Sequence, residues 1–215
     1  MRNLSVRLKH PVTIFLRGNQ IALAAQQGLR HHLRMDDLAL SVRYARPADA
    51  ADLARIYIES WQDTYAGLIP HSLLGAMSLK GHTARWQATM RGPGAVLVAE
   101  DSAHGAIGLA SLGTARDGAL GYEGEIYTLY VDPAFLGRGA GRALMAGAFE
   151  TFKDRKLRSC LVWAHAQNNA CFFYERMGGK RVATRTVSLM GAPTPETGFG
   201  WKQLAARRQA RTIQS

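Results

Sequence analysis

Hydrophobic positions along the chain change period several times, and each change marks an element. SVRYARP, from Ser41, alternates with Val42 and Tyr44 on one face and predicts a short strand stopped by Pro47. Pro47 suits the first turn of a helix, with Asp49 and Asp52 near its positive end. Ala51, Leu53, Ala54, Ile56, Tyr57 and Ile58 then recur at helical spacing to about Glu59. SWQDTYAGLIPHSLLGAM is mixed and broken at Gly67 and Pro70, which predicts a second short helix, a turn and another helical start. A helix over about 83–90 ends at RGPG.

Beyond that point the period drops to two. AVLVAE (95–100) predicts a strand, DSAHG a hairpin turn and 106–114 the returning strand. After the turn RDGALGYEG, residues 123–131 predict a third strand, apolar on both faces and therefore central. A helix over 139–156, a strand over 159–164, a helix over 168–177 and strands over 180–189 and about 197–203 complete the pattern. The expected class is α+β, one domain with a single β-α-β crossover at its centre.

Composition changes this picture mainly at the ends. The apolar fraction of 47% suffices for a core, and no uncharged apolar run reaches the roughly 18 residues of a membrane span. The net charge of +11 is concentrated in the termini: residues 1–34 hold six Lys/Arg and no acid, and residues 202–215 hold four and no acid. The chain therefore divides into a basic N-terminal extension (1–40), expected to be flexible and with residues 1–34 expected to be dispensable for folding, a near-neutral domain (41–204) and a basic C-terminal tail (205–215). No basic stripe with interleaved aromatics lies in the domain, so nucleic-acid binding is not expected. Cys160 and Cys171 have neither disulfide-framework nor metal-ligand spacing, which suits a reducing cytoplasm and no metal.

The candidate chemistry lies in LYVDPAFLGRGAGRALM (129–145), where a strand stops at Asp-Pro and a glycine-rich turn opens a helix. Such a turn offers unpaired N–H groups and close approach to a phosphate. It lacks the Gly-Lys-Ser/Thr of a Walker loop, and Arg142 stands where a dinucleotide fingerprint begun at Gly137 needs glycine.

The same stretch resembles the acyl-CoA pyrophosphate loop of the GCN5-related N-acetyltransferase (GNAT) family. Gly139 and Gly141 match that loop, Arg138 is a usual occupant, and Leu136 departs where Gln or Arg is usual. Downstream, NNACFFYERMGG resembles the family's second motif through Ala170, Phe173, Tyr174, Glu175 and Gly178, with Gln167 where Asn is usual and Gly179 for the common Phe. The likeness extends over about 41–204 and implies a single GNAT-type domain. Its mixed, mostly antiparallel sheet would have a central splayed parallel strand pair, opening between 123–131 and 159–164, and flanking helices.

The resemblance also implies roles. Backbone groups of Leu129, Tyr130 and Val131 would pair with the pantetheine arm of acetyl-CoA, the cosubstrate. Gly137, Arg138, Gly139, Ala140, Gly141 and Arg142 would bind its pyrophosphate, and Asn168 or Asn169 would hydrogen-bond the cofactor. Tyr174 would protonate the leaving thiolate, and a backbone N–H near Tyr130 would face the oxyanion. Glu125 is the candidate general base, with Glu123 in reserve, and strand alternation is expected to set Glu125, Tyr127, Leu129 and Val131 on one face. His165 is a weaker candidate base, and Cys171 lacks the partners of a nucleophile.

Trp61 and Tyr65, four apart on a helix, are candidate acceptor-binding residues, with Trp86 and 189–199 nearby in role. The implied partners are acetyl-CoA and an amine acceptor, with no membrane; a homodimer is left open. The competing expectation is an acyl-CoA-binding regulatory or nucleic-acid-associated protein with little or no catalysis.

Overall fold

The computed structural model describes residues 4–7, 13–16, 40–67, 69–189 and 191–204. Strands β1 (Leu4–Arg7) and β2 (Thr13–Leu16) pair antiparallel; the remaining expectations for 1–39 and 205–215 fall outside the described residues. The domain then runs β3 (Ser41–Tyr44), α1 (Ala50–Thr64), α2 (His71–Gly75), α3 (Leu79–Arg91), β4 (Ala95–Asp101), β5 (Gly105–Thr114) and β6 (Gly124–Val131). It continues with α4 (Ala140–Asp154), β7 (Cys160–His165), α5 (Ala170–Arg176), β8 (Lys180–Leu189) and β9 (Ala192–Trp201).

Seven strands form one sheet in the order β3-β4-β5-β6-β7-β9-β8, antiparallel throughout except for the parallel pair β6–β7. Alternation along the strands sends side chains to two cores. Leu97, Ala110, Leu112 and Ile126 meet Leu144, Met145 and Phe152 of α4 on one face. Val96, Val98 and Leu109 meet Leu53 and Ile56 of α1 and Trp86 of α3 on the other. Both faces are covered, which is why β4–β6 read as continuous apolar runs. Each fully buried Leu, Ile or Phe here contributes roughly 1.5–3 kcal/mol of transfer free energy. Arg43, on β3 between these layers, is 7% exposed and donates to both Asp49 and Glu100.

Three element boundaries differ from expectation. Helix α1 continues past Glu59 to Thr64, because Trp61 packs on Ile69 and Leu74 and extends the buried stripe by another turn. Helix α3 begins at Leu79, where Ser78 Oγ accepts the Gly81 N–H at 3.2 Å as an N-cap. Strand β9 begins at Ala192, since pairing with β8 supplies its backbone partners through a proline-interrupted stretch that reads as loop. Among the described residues no helix is long and apolar enough to cross a membrane.

Candidate active site

The site begins at an irregularity in β6. The β5–β6 ladder pairs Leu112 with Ile126 but Ser111 with Thr128, so Tyr127 is an extra residue, a β-bulge. The expected alternation of Glu125 with Leu129 therefore fails, because the bulge exchanges the faces after it. Ile126, Leu129 and Val131 all pack on the α4 side. Tyr130 faces α1, among the residues packed on its core.

The same strand parts from its parallel neighbour. Pairing between β6 and β7 covers Gly124–Ile126 with Cys160–Val162 and goes no further, so the two strands splay beyond Ile126. The Asp132 N–H donates to Ile107 O at 2.9 Å, which sets the ladder's phase. Two residues earlier Tyr130 directs its N–H and C=O to β5, while those of Leu129 and Val131 face the opened edge. Of the groups on that edge, Val131 O accepts from Ser60 Oγ at 3.2 Å.

Beyond β6, Asp132 ends the strand. Its Oδ1 accepts the Ala134 N–H at 3.0 Å and its Oδ2 accepts Arg55 Nη1 at 2.8 Å. The turn that follows holds Gly137 at φ 78° and Gly139 at φ 93°, values that L side chains seldom adopt, with open space where a Cβ would stand. Gly139 is the N-cap of α4, whose first turn carries no acid, so its leading N–H groups and helix dipole are left for an anion. Gly141 has another reason to be glycine: a Cβ there would stand 3.3 Å from Phe173. The Arg138 guanidinium lies 5.0 Å over the Phe135 ring, and Arg142 is exposed.

Between the splayed strands and α1 lies a cavity of about 530 Å³. Tyr174, on α5, lines it, is 4% exposed and packs against Phe173, Phe199 and Trp201. Burial pushes its hydroxyl well above the ordinary tyrosine value, so it stays protonated at neutral pH. Asn168 also lines the cavity, with Oδ1 capping α5 through the Ala170 N–H at 2.8 Å; Asn169 is exposed and does not reach it. The turn 137–142 lies outside the cavity, past the end of β6.

The opposite wall is aromatic. Trp61 and Tyr65 do share a helix face, with ring centroids 4.8 Å apart, and Tyr57 extends the row at 5.3 Å from Trp61. Tyr57 also meets Trp86 of α3 edge-on at 5.9 Å. Burial raises Tyr57 to about 12 and raises Tyr65 and Tyr130 as well. Trp61 Nε1 is buried without a hydrogen-bond partner among the described residues.

Charged groups close the floor. Glu125 is 2% exposed and both its oxygens accept from Arg116, through the backbone N–H at 2.9 Å, Nε at 3.0 Å and Nη2. Arg116 lines the cavity and Glu125 sits behind it. This pair raises the Arg116 guanidinium further. Glu123 lies away from the cavity, where its Oε2 accepts the Arg158 N–H at 2.5 Å.

The sequence reading missed Glu196 of β9, which stands opposite His165 of β7 and lines the cavity. Its Oε2 accepts Arg185 Nε at 2.8 Å, and Arg185 stacks 3.9 Å over Trp163. No local signal marks these two, because the β8–β9 and β7–β9 registers bring them together. Tyr57 was within reach of the sequence, four residues before Trp61 on the same stripe.

His165 is 9% exposed, lines the cavity and meets Tyr65 edge-on at 6.2 Å. Its Nδ1 accepts the Gln167 N–H at 3.2 Å, which assigns the proton of the neutral ring to Nε2 and removes the lone pair a base would use. Cys171 is buried with its Sγ 3.4 Å from His165 O, and burial raises its thiol. A larger depression of about 830 Å³ lies beside Gln62, Ile69, Pro70 and Leu74, away from the splayed strands and the glycine turn.

Comparison with known proteins agrees with this geometry. The pattern that defines the acetyltransferase (GNAT) family matches residues 52–179. The uncharacterized N-acetyltransferase YuaI of Bacillus subtilis is 34% identical over 168 residues, covering 78% of this chain and 95% of that protein. Among solved structures, a putative acetyltransferase, yncA, from Salmonella typhimurium with its cofactor acetyl-CoA superposes with TM-score 0.59 at 22% identity, over 81% of this chain and 99% of that one. The PaiA N-acetyltransferase of Thermoplasma acidophilum in complex with coenzyme A does so with TM-score 0.56 at 19% identity, over 74% and 97%. The two structures share the fold; the family match and the Bacillus relative carry the assignment. The chain belongs to the acetyltransferase (GNAT) family.

Proposed function

We propose that the protein transfers an acetyl group from acetyl-CoA to a primary amine of a small molecule or peptide, by direct attack in a ternary complex. The observation that carries this reading is the opened edge of β6, with Leu129 and Val131 backbone groups facing the splay and an anion-ready helix start beyond Asp132. An extended pantetheine arm would add to that edge as a strand does, and the pyrophosphate would meet the N–H groups from Gly137 to Arg142. Asn168, already at the cavity, is the better placed of the two asparagines to contact the cofactor.

In the reaction the amine nitrogen attacks the thioester carbon, a C–N bond forms and the C–S bond breaks. An alkylamine is ammonium at neutral pH, since its pKa is about 10.4. The aromatic walls would lower that value by desolvation, which supplies free amine. Glu125 is sealed behind Arg116, so we assign acceptance of the amine proton to Glu196, the carboxylate that lines the cavity. The developing oxyanion would draw on the Leu129 or Val131 N–H rather than that of Tyr130, which faces β5. Tyr174 then gives its proton to the departing thiolate.

Residues 41–204 would be the catalytic unit and the basic ends accessory, in a reducing compartment such as the cytoplasm, consistent with free Cys160 and Cys171. The test is calorimetric titration with acetyl-CoA followed by an amine panel read by free thiol. Micromolar binding and amine-dependent thiol release are expected; no binding at millimolar cofactor removes the reading.

A further inference from the structure

The polar lining of the cavity is unbalanced. Arg85, Arg116, Arg185, the Nε2–H of His165 and the hydroxyls of Tyr57 and Tyr65 are donors, whereas Glu196 is the lining carboxylate. Arg185 already occupies Glu196, and Glu125 already occupies Arg116. That leaves Arg85, an exposed residue of α3, as the lining guanidinium with no carboxylate partner among the described residues.

A cavity of this kind suits a ligand rich in acceptors. Glu125 neutralises Arg116 and Glu196 neutralises Arg185, so Arg85 carries the unbalanced charge of the lining, and a polycationic amine would meet no free carboxylate among the described residues there. A zwitterion distributes its charges to match: its carboxylate reaches Arg85, while its amine faces the aromatic row of Tyr57, Trp61 and Tyr65. From this arrangement we infer that the acceptor is a small amino-acid-like molecule, a primary amine carrying a carboxylate and an apolar or aromatic side chain, with Arg85 as its carboxylate-binding residue. The inference rests on the acetyltransferase reading and names the substrate class of that site.

The experiment uses the full chain, saturating acetyl-CoA and amines in matched pairs: phenylalanine with phenethylamine, tyrosine with tyramine, leucine with isopentylamine. Thiol release is expected with kcat/KM at least tenfold higher for the carboxylated member of a pair. Arg85→Gln, at an exposed position that does not disturb the core, is expected to shrink that ratio about tenfold through KM, with acetyl-CoA affinity unchanged, and Arg85→Lys to restore part of it. A charge-assisted contact of roughly 1.5 kcal/mol corresponds to that factor. Equal or faster turnover of the decarboxylated members, or a ratio indifferent to Arg85→Gln, overturns the inference and leaves the acetyltransferase reading standing. Acetyl-CoA binding without thiol release from any pair also overturns it. Absence of acetyl-CoA binding removes both.

Discussion

Arg116 closes on Glu125 from two directions, its backbone N–H on Oε2 at 2.9 Å and its Nε on Oε1 at 3.0 Å, and the carboxylate is left 2% exposed. The pair sits beside the bulge at Tyr127, and the Arg116 guanidinium lies 4.8 Å over that ring.

Arg116→Ala strands a buried carboxylate. Loss of the partner is expected to cost about 2 kcal/mol, below the usual figure for a buried pair because Arg116 is itself half-exposed and its backbone N–H remains. Chemical denaturation measures this. By contrast, Glu196→Gln is expected to lower kcat at least tenfold while the denaturation midpoint holds. A kcat loss in Glu125→Gln at unchanged stability, with Glu196→Gln unaffected, would return the base role to Glu125.

Tyr174→Phe keeps the ring packed on Phe199 and Trp201 and removes only the hydroxyl. Turnover is expected to fall about 100-fold, within the range for a general acid, with acetyl-CoA affinity within a factor of two. Because burial raises the phenol, its proton is retained past pH 10, so the alkaline side of the wild-type profile stays flat up to that pH as far as this residue is concerned. Unchanged single-turnover rates in the variant remove Tyr174 from the mechanism.

Gly139 and Gly141 are expected to fail differently. Gly139→Val forces a β-branched residue to φ 93° at the start of α4, at a cost of a few kcal/mol, and crowds the N–H groups of the turn. Acetyl-CoA affinity is expected to drop more than tenfold. Gly141→Ala instead presses on Phe173 and is expected to shift the midpoint more than the affinity. Calorimetry and thermal melts on the two variants separate these effects, and intact affinity in Gly139→Val refutes the loop assignment.

Stability is expected to decline in alkali. Burial raises Tyr57 to about 12 and raises Tyr65, Tyr130 and Tyr174 too, so the folded chain holds these protons where the unfolded chain has released them. Their contribution is complete below the unfolded value near 10 and is lost as pH rises through the folded values, at about 1.4 kcal/mol per pH unit for each phenol affected. The thiols of Cys160 and Cys171, raised by burial, bring the onset down to about pH 9. Thermal midpoints across pH 7–11 are expected to hold and then fall, less steeply in Tyr57→Phe; a flat profile contradicts this.

What the sequence by itself determined is local. The two-residue and helical periods placed the elements from Ser41 to Leu189 in order, because each period is written by consecutive side chains meeting a core on one face or two. The glycine-rich turn after β6, the Asp-Pro strand end and the position of Tyr174 on a helix were equally legible, since each depends on a few adjacent residues. The tertiary structure alone decided the bulge at Tyr127, the engagement of Glu125 by Arg116 and the meeting of Glu196 with His165 and Arg185. These are set by strand register, and a shift of one residue turns every side chain to the other face. That register follows from pairing across the sheet, which no short stretch of the chain contains.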